Sequence, residues 1–447
     1  MAGGVGIPMG GGAQNDVPTE GTRTYAIIVC LFASLGGIFF GYDQGVTGGV
    51  LVMDNFLEDF CVGYGGNTLE DCQKSSKSLP DNWLSFTTNF NVCYYTGCIA
   101  GAFIAGLVAD KFGRRLAIFN AGVLFCIGTL WVVLTPAHKH TLELVGRFVQ
   151  GMGVGNSSFS IPIFGAEMAP KELRGMLSGF MQMTVVTGLF IANLVNIGIK
   201  NVDEGWRISF CVALLPPIIV MGGIFCMPES PRWLYKNKGR EVAEVALKRL
   251  RQTENVHREL TAIGDQLELE GEEVAWKELL EPSIRLRVFI AIMLQLLQQA
   301  TVTFTLGCDG DTDNAGCTKG PGYVIIVAAA FYVFNFAMSW GPICWIYPAE
   351  IFPLNVRAKA VSLSTMANWV MGTAMVSIPK LFPYLNINGV FFLFCGLCVC
   401  NYIFVYFMCP ETVGLMLEDI EALFNGKAAA KQSPKYVPVE TPTTSVA

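Results

Sequence analysis

The amino-acid sequence predicts an all-α polytopic membrane protein with about ten spans, and three observations carry that prediction. Of its 447 residues, 52% are hydrophobic and 15% are charged, whereas soluble domains carry about 25% charged residues. The apolar residues fall in blocks of about 20, long enough to cross a bilayer as a helix. The links between blocks alternate in charge, as they do when successive spans turn back across a membrane.

Residues 1–24 are rich in Gly with Pro, Asn and Asp, the composition of a disordered tail. They lack the basic, apolar and small-residue order of a cleaved signal peptide, so the first span is expected to stay. Apolar blocks follow at 25–47, 87–109, 116–135, 142–165, 177–198, 207–227, 286–307, 322–347, 360–381 and 388–409. An N-terminal half of six spans occupies 25–228, and 286–425 holds four recognisable spans. Between them, 229–285 is hydrophilic, with Val242, Val245, Leu247 and Leu250 at helical spacing among many Glu, Lys and Arg. That pattern reads as amphipathic surface helices, and a bracket between two halves fits it as well as a passive linker. Residues 426–447 are rich in Lys, Pro and Thr and read as a second disordered tail.

Charge orients the chain. Lys111, Arg114 and Arg115, then Lys171 and Arg174, then Arg357 and Lys359 all fall on one side if the spans alternate. The other side holds 52–85, where Asp54, Glu58, Asp59, Glu70, Asp71 and Asp81 outnumber Lys74 and Lys77. Excess Lys and Arg mark cytoplasmic loops, so both termini are expected in the cytoplasm. Cys61, Cys72, Cys308 and Cys317 fall in outward loops, where disulfides persist. Two bridges are expected there, with all three pairings open. His138 and His140 flank Lys139 without a joining carboxylate or Cys, so no metal site is expected.

The chain also repeats itself. Glu167, Pro170 and Arg174 in GAEMAPKELRG recur as Glu350, Pro353 and Arg357 in PAEIFPLNVRA. PES at 228–230 recurs as PET at 410–412, at nearly the same offset. Two related helical halves meeting at a central site are the build of many secondary transporters. Together with GLVADKFGRR (106–115), GRFVQGMGVG (146–155), PESPRWL (228–234), LQLLQQ (294–299), GPICW (341–345), PETVG (410–414) and FGYDQGVTGG (40–49), these segments resemble the signature set of the sugar porters of the major facilitator superfamily. Their order and spacing match over nearly the whole chain.

That resemblance implies a hexose transporter of the proton-coupled type, working by alternating access in the plasma membrane. Its partners are a small sugar, the proton and the bilayer; no cofactor and no nucleic acid are expected. An enzyme reading finds no phosphate-cradling loop, nucleophile elbow or metal-ligand cluster. A channel reading finds no filter motif.

Charges inside spans cost about 2.5–3.5 kcal/mol even on forgiving scales, so they are usually paired and functional. Asp43 and Arg147 stand out in this respect, and the resemblance implies that they form the proton-linked pair. A sugar needs neutral donors and acceptors together with an aromatic face, and Asn and Gln supply both halves of a hydrogen bond without charge. Gln182 and Asn193 share a face of the fifth span. Gln295, Gln298 and Gln299 share a face of the seventh block, and Asn368 and Trp369 lie in the ninth. By motif, Gln182, Gln298, Gln299, Trp345 and Asn368 resemble the sugar-contacting positions, with Gln295 on the same face; polar packing between helices is the plainer reading of each. Asp110, Arg114, Arg115, Glu167, Arg174, Glu229, Arg232, Glu350 and Arg357 resemble the family's cytoplasmic gate network, and positive-inside topology alone would also place basic residues there.

One departure stands against the match. The family has twelve spans, whereas this chain has about ten, because the residues after Gln299 lead directly to what resembles the tenth. Phe304 stands where a sugar-binding Asn is expected, the second GRR copy is absent, and Val413 replaces the usual Lys. Two expectations follow: a working transporter whose gap is tolerated or offset by self-association, or a transport-inactive truncated paralogue or sugar sensor.

Overall fold

The computed structural model describes residues 21–74, 79–170, 173–270, 276–302, 335–336, 339–376, 382–410 and 424. The described residues fold into a helical bundle. The first span comprises α1 (Thr24–Ser34) and α2 (Gly36–Val50), continuous but for Leu35. Then come α5 (Asp81–Phe112), α6 (Arg114–Leu134), α7 (His140–Met168), α8 (Arg174–Ile199) and the sixth span, made of α9 (Gly205–Val212) and α10 (Leu215–Ile224). The break in the sixth span coincides with Pro216 and Pro217, which lack an N–H and sit where a helix starts most easily.

In the first half the apolar blocks lie within these helices or run at most three residues past them; residues 303–307, 322–334, 337–338 and 377–381 of the later blocks lie outside the described residues. Among the described residues, five helices are apolar and long enough to cross a membrane by length and composition alone: Thr24–Val50, Asp81–Phe112, Arg114–Leu134, Gly179–Ile199 and Gly205–Ile224. α7 is as long as these, but it carries Arg147, Gln150, Asn156, Ser157, Ser158 and Glu167, all buried. A helix surrounded by other helices need not be apolar all round.

Small residues let α7 sit at the centre. Gly97 and Gly101 on α5 face Gly151 and Gly155 on α7, and the space a Cβ would fill at each is occupied by the partner's backbone: Phe148 and Met152 for the first two, Tyr94 and Cys98 for the others. Such paired small-xxx-small faces are how helices approach closely where no hydrophobic drive separates helix from lipid. Gly41 on α2 meets Val185 of α8 in the same way.

The acidic segment 52–85, read from sequence only as an outward loop, holds α3 (Asp54–Phe60), a 3-10 turn at Tyr64–Gly66 and α4 (Leu69–Cys72). Cys61 and Cys72 are bonded to each other, which settles one of the open pairings; Cys308 and Cys317 lie outside the described residues. Phe56 and Phe60 pack edge-on against Trp206 at 5.4 and 5.7 Å, and the Trp206 indole donates to Asp59 at 3.0 Å. This end of the bundle is thus capped by a stapled aromatic cluster.

The opposite end carries the hydrophilic segment, folded as α11 (Pro231–Lys238), α12 (Arg240–Arg251) and α13 (His257–Glu270). These helices are fastened down. Arg251 pairs with Glu259 at 2.7 Å and donates to the Met168 carbonyl at the end of α7. Trp233 donates to the Asp110 carbonyl at 2.8 Å. These contacts dock the segment against the first half.

The second half supplies α14 (Pro282–Val302), α15 (Trp340–Ile351), α16 (Leu354–Met375) and α17 (Phe382–Met408). It meets the first half along α16 and α5, where Ser362 donates to the Ala102 carbonyl at 3.0 Å. Ala105, Ala109, Phe159 and Ile163 share one buried cluster there with Val356, Ala358 and Val361. The halves are therefore closed on each other toward the linker end.

If close approach holds α7 in place, Gly101→Leu should cost about 1–3 kcal/mol by overpacking, read as a lower thermal midpoint of the purified protein. Gly222→Ala, with open space beside it, should leave the midpoint unchanged or raised.

Candidate functional site

α2 and α7 bring Asp43 and Arg147 together inside the first half. The guanidinium donates to Asp43 Oδ1 at 3.0 Å, and both side chains are excluded from solvent, at 0% and 1% exposure. Gln150, one turn along α7, bridges them: its Nε2 donates to Asp43 Oδ1 at 2.7 Å, and its Oε1 accepts from Arg147 at 2.7 Å. Thr47 accepts from Arg147 at 2.8 Å, and Thr129 of α6 accepts from Gln150 at 3.1 Å. The rings of Phe90 and Tyr94 lie 4.6 and 4.5 Å from the guanidinium carbon, close enough for cation–π attraction. The Tyr94 hydroxyl stands beside the carboxylate, yet neither it nor Asp43 Oδ2 completes a hydrogen bond.

Chemically this is a charged pair with a spare acceptor. A buried ion pair is tolerated while both partners stay ionised, and removing one charge costs about 3–5 kcal/mol because the other is left uncompensated. Protonating Asp43 is such a removal. Sequence reasoning found the pair but missed Gln150, although its position at i+3 from Arg147 places it on the same helix face.

A second polar cluster joins three helices of the C-terminal half. Gln295, Gln298 and Gln299 project from one face of α14 toward Asn368 of α16. Asn368 Nδ2 donates to Gln295 Oε1 at 2.6 Å and to Gln298 Oε1 at 2.7 Å, and its Oδ1 accepts from Gln299 at 2.7 Å. Gln298 donates to the Gly341 carbonyl at 3.0 Å, and Gln295 to the Cys344 carbonyl at 2.9 Å, both on α15. Pro348 has no N–H, so the carbonyl four residues earlier, that of Cys344, loses its helical donor; Gln295 supplies one from another helix.

Gln182 approaches from the first half, with its Cγ 3.1 Å from where a Cβ on Gly341 would stand. Trp345 is buried one turn further along α15. The structure therefore gathers Gln295, Gln298, Gln299 and Asn368 into one network, with Gln182 against the same stretch of α15. Asn193 points away, exposed and bonded only within its own helix.

The aromatic residue that links the halves is Trp369, next to Asn368 in the chain. It is fully buried, donates to Ser158 of α7 at 3.2 Å, and lies 5.4 Å from the Phe40 ring and 5.8 Å from that of Tyr95.

A third network closes the linker end. Arg114 binds both Glu167 oxygens at 3.1 Å and reaches Asp110 at 3.4 Å. Glu229 accepts from the backbone N–H groups of Arg114 and Arg115, each at 3.1 Å, at the start of α6. Gly113 must be glycine: its φ is +100°, and a Cβ would collide with the Glu229 carboxylate. Burial pushes the Glu229 carboxyl up, while hydrogen bonds from the Ser230 and Arg115 backbone N–H groups pull it back. Arg232 lines a small polar cleft with Asp110, Arg114 and Glu167. Arg115 donates to the Ile224 and Phe225 carbonyls. Arg357 donates to the Phe352 carbonyl at 2.9 Å and lies within the electrostatic reach of Glu167. The side chains of Arg174 and Glu350 lie outside the described residues.

With these sites placed, relatives become informative. Sugar transport protein 10 of Arabidopsis thaliana is 27% identical over 512 aligned positions, which cover 98% of this chain and 97% of that protein. Sugar carrier protein C of Ricinus communis is 28% identical, covering 93% of this chain and 92% of that one. Among solved structures, the proton:xylose symporter XylE bound to 6-bromo-6-deoxy-D-glucose superposes with a TM-score of 0.70 at 23% identity, over 90% of this chain and 100% of that one. A partially occluded inward-open XylE from E. coli gives 0.66 at 24%, over 88% and 100%. These likenesses establish the major facilitator fold. The family model described as "Sugar (and other) transporter" matches residues 29–306 and 300–424. The chain therefore belongs to the sugar (and other) transporter family of integral membrane proteins, whose members carry solutes and are not enzymes.

Proposed function

We propose that the protein is a monosaccharide:proton symporter of the plasma membrane, with both termini in the cytoplasm. The observation that carries this reading is the buried Asp43–Arg147 pair with its unpartnered second oxygen. Protonation of Asp43 from outside frees Arg147, and the loss of that bond biases the first half against the second. Moving one proton charge down about 100 mV releases roughly 2.3 kcal/mol, which drives several-tenfold accumulation of a neutral sugar.

The amide network of Gln295, Gln298, Gln299 and Asn368, with Gln182 and Trp345, is the sugar site. In the state described, its amides bond to one another, so a sugar hydroxyl exchanges one hydrogen bond for another and no group is left unpaired. The Arg114–Glu167–Asp110 network, with Arg115, Glu229, Arg232 and Arg357, is the inner gate; Arg174 and Glu350 complete it by motif. Individually such pairs contribute little, but a network that breaks in one state shifts a two-state equilibrium. The plant relatives are named as sugar transport and sugar carrier proteins, which supports the sugar. XylE is a proton:xylose symporter, which supports the proton as well.

A second reading rests on a specific observation. The alignment with the Arabidopsis protein spans 512 positions, more than this chain's 447 residues, and the family match divides at residues 300–306. Both fit the loss of two spans after Gln299, at Phe304, and a transport-inactive paralogue or sugar sensor would follow from it.

Uptake separates the two readings. In hexose-uptake-deficient cells, labelled glucose should enter and accumulate, and a protonophore should abolish accumulation; surface-expressed protein with no uptake of any tested sugar would establish the inactive form. In the active case, Asp43→Asn should lose accumulation against a gradient while sugar exchange persists. Undiminished proton-driven accumulation in that variant would remove Asp43 from the coupling step.

A further inference from the structure

One turn before Arg147, α7 holds a carboxylate with no role in the scheme above. Glu143 is wholly buried, at 0% exposure, and neither of its oxygens has a hydrogen-bond partner. The Thr135 hydroxyl stands beside it but is committed to the Trp131 carbonyl at 2.8 Å. Two cations face it, Arg147 from its own helix and Arg207 from α9. Both are already engaged: Arg147 with Asp43 at 3.0 Å, and Arg207 with Glu204 at 3.1 Å and Asp59 at 3.5 Å. His140, at the start of α7, precedes Glu143 on the same helix face. Its Nε2 lies 2.6 Å from the Phe60 carbonyl, and its ring is 4.0 Å from that of Tyr64.

The charges do not balance as they stand. Two buried carboxylates, Asp43 and Glu143, share one guanidinium that is not otherwise paired, so with both ionised the group carries one excess negative charge. An unpaired buried charge is far costlier than a neutral acid, and carboxylates sharing one counter-charge titrate as a unit. One proton makes the group neutral. With Arg147 held by Asp43, the proton resides on Glu143.

We propose that Glu143 is the second proton-binding carboxylate of the coupling site, alternating with Asp43 as the partner of Arg147. The inference rests on the symport reading and deepens it. In the step that opens the pair, the Glu143 carboxyl passes its proton to the open Oδ2 of Asp43, Arg147 turns to the ionised Glu143, its neighbour at i−4, and Glu143 takes its next proton from outside once Asp43 has released the first inward. The count closes: one carboxyl gains a proton, the other loses one, and the guanidinium is paired in both states. Asp43 can then be neutralised without stranding a buried cation, which lowers the cost of the step that opens the pair.

The test is the pH profile of sugar uptake by the full-length protein in cells, for wild type, Glu143→Gln and Glu143→Asp. Gln keeps the volume of Glu and matches the neutral state of the protonated carboxyl, so surface expression should hold. Without Glu143, protonating Asp43 leaves Arg147 unpaired, so the pH of half-maximal uptake should fall by about one unit or more, tenfold in proton concentration. Glu143→Asp should move the profile back toward wild type. Sugar exchange at saturating sugar should persist in Glu143→Gln. If the Glu143→Gln profile superimposes on that of a proton-dependent wild type, with or without a lower maximal rate, Glu143 is structural and the inference is overturned while symport stands. If wild-type uptake is itself independent of pH and protonophore, the symport reading fails and takes this inference with it.

Discussion

A guanidinium in the middle of an apolar bundle cannot be left without a counter-charge, and most of the first half is arranged around that constraint. Arg147 sits under two aromatic rings, against Thr47 and Gln150, with Asp43 as its counter-ion. That arrangement requires α7 to lie close to both α5 and α2. The glycine faces of α5 and α7 allow the first approach, and Gly41 lets α2 close on α8 behind Asp43. The stapled aromatic cap over one end and the docked helices α11–α13 at the other hold the first half from both ends. A rigid half that stores one breakable charge pair is suited to switching, because its packed interfaces move between discrete arrangements instead of deforming smoothly.

The two halves treat polarity differently. The first concentrates charge, and the second concentrates neutral amides. Gln295, Gln298 and Gln299 are hydrogen-bonded to a central Asn368, in a network that also repairs a helix carbonyl left open by Pro348. Such a network serves both structure and recognition, since polar side chains hold membrane helices together and remain available to a hydroxyl that enters. Trp369 connects the two regions, with its ring against Phe40 and Tyr95 and its indole on Ser158. Movement of the first half would therefore be felt directly beside Asn368.

Hydropathy located the helices of the first half in the sequence because burial in lipid is a property of whole segments. Asp43 and Arg147 were legible for the same reason: an ionisable residue inside an apolar block is conspicuous. Gln150 and Trp369 were less so, since both look like ordinary residues of a helix face and their partners lie on other helices, 107 and 211 residues away. Pro348 did carry a signal that Cys344 needs a donor, but nothing local says that Gln295 provides it. The helices of the 54–72 segment were hidden by their acidic composition, which reads as loop when the cap formed by Phe56, Phe60 and Trp206 is not in view. Glu143 was overlooked because a Glu in the first turn of a helix is commonplace; only its complete burial makes it unusual.

The central claim is that one protonation event at the Asp43–Arg147 pair is tied to the passage of one sugar. Its most direct test is proton movement evoked by sugar in vesicles containing the purified protein, with the membrane potential clamped at zero. The account expects external sugar to draw protons inward in fixed proportion to the sugar taken up. Sugar uptake at an undiminished rate with no accompanying proton movement would contradict it.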